Sequence, residues 1–347
     1  MSLADVVAAL MFLGVLAYAV LGGADFGSGL WDLTAGGDRR GAPIRTLIDH
    51  VIGPVWEANH VWLIYVLVFL WTGFPVGFAA IMDALFIPFG LAGLGIVARG
   101  SAFAFRKFAP SLESARVFGV LFATSSVLTP FLFGSIAGAI AAGEVPADGS
   151  GDRWSSWTGP TSIIGGTLAV VTCAFLAAAF LTAEAWLRHD PELTERCRRR
   201  ALLSGVIAGV VALGGIIPLE HDAPTLFDGL TGRALPLVVG SAVAGTASLL
   251  SLLRHRYLLA RAAAVGAVSM AVAGWGIAQY PWLLADTLTI EDAAGARSTL
   301  WGLVVTFVVA GVIVLPALGY LFWITQRPGW VGADALDQRR VPDSSPS

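Results

Sequence analysis

Two side chains able to hold a proton, Glu57 and His60, stand three residues apart in GPVWEANHVWLIYVLVFLW (residues 53–71), a run that is otherwise apolar. Burial pulls a carboxyl toward neutral pH, where it can both accept and release a proton. Other ionisable groups also fall within long apolar stretches, namely Asp25, His50, Asp83 and Glu184. An unpaired charge at the centre of a bilayer costs roughly 2.5 to 3.5 kcal/mol, so each of these needs a partner or a task. Asp25, His50 and Glu184 lie near span ends, where a side chain can extend to interfacial water. Glu57 is deeper. Counted along one helix beginning at Leu47, it is about 10 residues in, or ~15 Å, near the middle of the hydrocarbon. On that single helix His50, Glu57 and His60 share a face, with Trp56 and Asn59 nearby.

The setting is a membrane. Of 347 residues 56% are hydrophobic and only 13% charged, and the mean hydropathy is +0.76. A helix needs about 20 apolar residues to cross a bilayer. Nine stretches qualify, at 6–30, 48–72, 75–98, 115–142, 160–187, 200–218, 234–253, 258–282 and 299–325. The second and third are joined by what reads as a tight turn over residues 72–75. The reading is an all-α integral membrane protein, with one polytopic domain over 1–330 and a polar, disordered tail over 331–347. The opening MSLAD lacks a basic leader, so the first span is expected to stay as an anchor. Eighteen of the 21 lysines and arginines fall in the odd-numbered loops or the tail, Arg99, Arg106 and Arg196 among them. By the positive-inside rule the N-terminus is outside and the C-terminus cytoplasmic, which requires an odd number of spans.

The loops leave no room for a soluble catalytic domain, so any chemistry lies between helices or on a partner. The GGADFGSG stretch (residues 22–29) has neither a preceding strand nor the spacing of a nucleotide loop. Cys173 and Cys197 fit no metal or disulfide pattern. Haem ligation needs histidines that face one another, and His50 and His60 are ten residues apart, about 280° around a helix. His189, His221 and His255 fall in loops or at helix ends. A proton-coupled transporter and a proton-conducting subunit of a redox complex would both use buried carboxylates, and the acids alone do not separate them.

The LGGADFGSGLWDL end of the first span and the GPVWEANHVWLI entry of the second resemble subunit II of the cytochrome bd quinol oxidases. So do WGIAQYPWLL, the acidic DTLTIEDAA loop and TLWGLVVTFVVAGVIVLPALGYLF near the C-terminus. The likeness covers almost the whole chain. At the Glu57 position the family often has Asp, and Glu57 with His60 is similar to its cyanide-insensitive-type branch. The resemblance implies nine helices arranged as two four-helix bundles plus a peripheral helix. It also implies a heterodimer in the bacterial cytoplasmic membrane whose subunit I carries b-type haems and, in some members, haem d. Such a complex oxidises quinol, reduces dioxygen to water and takes protons from the cytoplasm without pumping. This chain would bind no haem, support its partner and supply part of the proton path through Asp25 and Glu57, with His60 as relay or hydrogen-bond partner. Gly53, Pro54, Trp56, Asn59 and Trp62 are the motif positions that shape this helix entry. A structural quinone or lipid and a small third subunit are compatible with the resemblance. A nucleic-acid partner is not expected.

Overall fold

The computed structural model describes residues 2–52, 56–106, 108 and 111–325, with only the backbone at residues 38–39, 52, 56–58, 112–113, 115, 315, 318, 321–322 and 324–325. The tail expected from residue 331 lies outside them. Helix α1 (Leu3–Leu33) starts at a capping box, in which Ser2 and Asp5 each bond the other's backbone N–H. It is followed by α2 (Asp38–Ile52), α3 (Trp56–Gly73), α4 (Pro75–Ala84), α5 (Phe86–Arg106) and α6 (Leu112–Ala141). Helix α7 (Pro160–Leu187) begins on Pro160, and α8 (Pro191–Gly214) begins on Pro191 behind the Asp190 N-cap. The chain continues through α9 (Ile216–Asp222), α10 (Pro224–Thr231), α11 (Leu235–Leu253) and α12 (Tyr257–Gln279). A small antiparallel hairpin, β1 (Trp282–Leu284) and β2 (Leu288–Thr289), leads to α13 (Arg297–Thr325).

Among the described residues eight helices are long and apolar enough to cross a membrane. A bent pair, Asn59–Gly73 with Pro75–Ala84 at 116°, makes nine if it is counted as one span. Two expectations change here. The second apolar stretch is not one helix from 48 onward: residues 48–52 end α2, and α3 starts at Trp56. Nor are the second and third stretches joined by a simple turn. Phe74 breaks the helix with φ −134 and ψ 61, Pro75 starts α4 across the end of α3, and the descending helix is α5. Helix α2 is amphipathic. It buries Ile44, Leu47 and Ile48 against α7 and α8, while Arg40, Thr46 and His50 stay exposed.

The same corner occurs twice. Ala223, before Pro224, has φ −140 and ψ 61, and the short α10 then leads into α11 and α12. The order long helix, Pro-broken corner, short helix and two long helices therefore runs through α1–α6 and again through α7–α12, with α13 left over. Close helix contact is built from glycine. A Cβ on Gly27 of α1 would lie 1.9 Å from the Cys173 carbonyl oxygen of α7. Gly134 of α6 and Gly165 of α7 lie against each other's carbonyl groups in the same way, so the small-residue pair at 134 and 138 marks a helix crossing.

Candidate functional site

Helix α1 carries Tyr18, Asp25 and Asp32 at intervals of seven residues, and α5 carries Arg99 and Arg106 at the same interval. Seven residues are nearly two turns, so each set lies along one face. The two helices meet in register. Asp25 pairs with Arg99 and Asp32 with Arg106.

The inner pair is sealed. Asp25 is 3% exposed and Arg99 2%. Arg99 Nη2 donates to Asp25 Oδ1 at 2.6 Å and Nη1 donates to Oδ2 at 3.2 Å. Two further bonds bring four of its five N–H groups into use, with Nη2 reaching the Asp25 carbonyl oxygen at 3.2 Å and Nε the Ser126 hydroxyl at 2.9 Å. The guanidinium lies 4.9 Å from the ring centroids of both Phe26 and Phe122. Such use of donors and π faces is what makes a charged group tolerable away from water. Two expectations are corrected by this pair. Asp25 does not extend to interfacial water, and Arg99 is not a loop residue, since it lies within α5.

The outer pair belongs to the basic end of the helices. The Asp32 carboxylate, 4% exposed, accepts from Arg106 and, at 2.9 Å, from Arg45 Nε of α2. Arg106 Nη2 also reaches Asp49 of α2 at 2.7 Å, and the Arg106 guanidinium stands 5.6 Å from the Phe122 ring centroid. Arg200 of α8 donates to the Thr34 carbonyl oxygen at 2.8 Å and covers the Trp31 ring, so a cation closes the C-terminus of α1.

Helix α3 runs antiparallel to α1. Asn59, 5% exposed, donates to the Leu21 carbonyl oxygen at 3.3 Å, and the Tyr65 hydroxyl donates to the Leu10 carbonyl oxygen at 2.8 Å. Extrapolating that pairing puts the first turn of α3, where Glu57 sits, level with about residue 23 of α1, roughly 15 Å from the end of α1 at 1.5 Å per residue. Glu57 is therefore deep because its helix starts deep, and not because it lies halfway along a long one. The His60 ring packs edge-on against Tyr18 and Phe26, with centroids 6.3 and 6.2 Å away. Trp62 packs against Tyr65, which in turn meets Phe307 of α13. Gly53 and Pro54 lie outside the described residues, as do the side chains of Trp56 and Glu57. His50 is on α2, so it does not share a helix face with Glu57 and His60.

The other flagged acids are elsewhere. Glu184 pairs with Arg188 one turn along α7, and Asp83 is exposed beside Gly149. Both cysteines are buried free thiols. His60 has its ring neighbours Tyr18 and Phe26 on α1. No three described His, Cys, Asp or Glu residues gather as a metal site. Sequence reasoning missed Asp32, Arg99, Arg106 and Ser126. The matched seven-residue spacing of acids and arginines in two separate apolar stretches was the signal available.

The model of the family described as cytochrome bd terminal oxidase subunit II matches residues 3–325. A curated relative, cytochrome bd ubiquinol oxidase subunit 2 of Bacillus subtilis (strain 168), is 27% identical over 239 residues, covering 67% of each chain. A putative cytochrome bd menaquinol oxidase subunit II from the same organism is 21% identical over 322 residues, covering 89% of this chain and 91% of that one. In the bd oxidase from Geobacillus thermodenitrificans, one chain superimposes with a TM-score of 0.73 at 22% identity, covering 94% of this chain and 100% of that chain. With the family model spanning nearly all of α1–α13 and a solved bd oxidase chain sharing the fold, this protein belongs to the cytochrome bd terminal oxidase subunit II family.

Proposed function

We propose that the chain is the non-haem subunit of a heterodimeric oxidase that oxidises quinol and reduces dioxygen to water, and that it conducts protons from the cytoplasm toward the haem-bearing subunit. Its basic end faces the cytoplasm, its N-terminus lies outside, and its spans form two four-helix bundles with α13 peripheral. The observation that carries the proton role is the start of α3. Glu57 and His60 enter there about two-thirds of the way along α1, with the Phe26 ring between His60 and a buried ion pair, in a protein whose family reduces oxygen inside a membrane. Oxygen reduction consumes protons, and hydrocarbon supplies none.

On this reading a proton enters among Asp32, Asp49, Arg45 and Arg106, passes Asp25 about 10 Å further in, at seven residues of helix rise, and reaches Glu57. Asp25 takes part from within its ion pair. Protonating it weakens its two bonds to Arg99, which keeps the Asp25 carbonyl, Ser126 and two aromatic faces. Loading the acid and loosening the pair are then one event. Haem in the partner supplies the electron chemistry, and this chain supplies the protonatable groups.

A tagged copy purified from native membranes is expected to bring down one haem-bearing subunit and to show a reduced-minus-oxidised haem spectrum. The same chain expressed alone is expected to show none. A chain that purifies without haem protein but moves a solute with protons would establish the transporter reading instead.

A further inference from the structure

The Tyr18 hydroxyl oxygen is fully buried and makes no hydrogen bond among the described residues. The hydroxyls of Thr129 and Ser135 share that condition, but they sit on short side chains inside α6 that can rotate to a carbonyl of their own helix, and those of Thr161 and Ser162 sit in the first turn of α7, away from the charged residues of α1 and α5. A tyrosine hydroxyl, at the far end of a rigid ring, has no such recourse. Leaving it unpaired costs about 1 to 3 kcal/mol, which phenylalanine of nearly the same shape would avoid.

Its surroundings suggest what the hydroxyl is for. Tyr18 is two turns from Asp25 on the same face of α1, on the side away from Asp32. Its ring meets the rings of His60 on α3, Phe26 on α1 and Phe133 on α6. It therefore stands where the Asp25–Arg99 pair, the deep start of α3 and α6 converge. A buried hydroxyl without a protein partner is the kind of group that ordered water satisfies in protein interiors.

We propose that Tyr18 is a proton-relay residue on the Glu57 route, its hydroxyl holding a buried water between the Asp25–Arg99 pair and the start of α3. The inference rests on the proton-path reading above. In the transfer Asp25 gives its proton to the water, the water gives one to the phenolic oxygen, and the phenol's own proton passes on to the Glu57 carboxylate. At the water and at the phenol one O–H bond forms as one breaks, and neither carries a net charge at the end. His60 meets α1 through the Tyr18 and Phe26 rings, and the Tyr18 hydroxyl is a buried polar atom among them.

The test uses the assembled oxidase with Tyr18→Phe, beside Glu57→Gln in the same background. Tyr18→Phe is expected to assemble with a normal haem spectrum and undiminished thermal stability. Its quinol-driven oxygen consumption is expected to fall about tenfold, less than the loss of a general acid or base costs, because water can partly replace the hydroxyl. The ratio of rates in H2O and D2O should rise with the loss. Normal turnover and isotope ratio in Tyr18→Phe, with Glu57→Gln impaired, would overturn the Tyr18 proposal and leave the Glu57 route standing. Normal turnover in both would overturn both. If Tyr18→Phe does not assemble, difluorotyrosine at position 18 decides: it keeps the packing and changes the acidity of the hydroxyl. A shifted pH profile of turnover supports the relay, and an unshifted one overturns it.

Discussion

Asp25 and Arg99 neutralise each other in the interior, and the value of each depends on the other. Removing one member of a buried pair leaves an uncompensated charge and costs about 3 to 5 kcal/mol, whereas replacing both with apolar side chains of similar size is far milder. Arg99→Met alone is therefore expected to destabilise the complex strongly, and Asp25→Leu with Arg99→Met to recover most of the loss. Thermal unfolding of the purified oxidase, read as a double-mutant cycle, checks this. A double variant less stable than either single one would contradict the pairing. The sequence marked Asp25 as out of place but concealed its partner, because a positive-inside tally treats an arginine near a span end as a loop residue. Arg99 sits two turns inside α5 and becomes visible only when its spacing to Arg106 is compared with that of Asp25 to Asp32.

Helix α3 shows how an element can place a residue deep without being long. It has 18 residues, and its first turn already lies level with about residue 23 of α1, roughly ten residues short of that helix's end. The apolar run from 47 to 71 looked continuous, and its hydropathy outweighed the helix-breaking Gly53-Pro54 that the sequence displayed. Helix identity was not legible in that run, and His50 therefore lies on a different helix from Glu57 and His60. The contact between α1 and α7 depends on Gly27, where a Cβ would meet the Cys173 backbone. Gly27→Ala is expected to force the helices apart, costing about 1 to 3 kcal/mol or more and lowering the yield of assembled complex. Gly90→Ala on α5, with open space around it, serves as the control. Equal yields from the two variants would mean that α1 and α7 do not meet as described.

Across the whole molecule the two halves repeat one plan with different contents. Counting 24 residues from Pro75 leads to Arg99, and the same count from Pro224 leads to Ser248, which only bonds the Ala260 carbonyl oxygen of the neighbouring helix. Among the described residues the first half holds the buried ion pair, and the second half has a neutral hydroxyl at the corresponding place. That the chain is a series of long apolar helices could be read from hydropathy, since it is a property of composition. The pairing between halves of a bundle could not, because it depends on which helices touch. The proton role of the first half is tested most directly by comparing Glu57→Gln and Glu57→Asp in the assembled oxidase. Glutamine keeps the size and hydrogen bonding but carries no proton, and aspartate keeps the acid. The account predicts that both variants assemble with normal haem spectra, and that Glu57→Gln loses most quinol-driven oxygen consumption while Glu57→Asp retains a good part of it. Normal turnover in fully assembled Glu57→Gln would contradict the account.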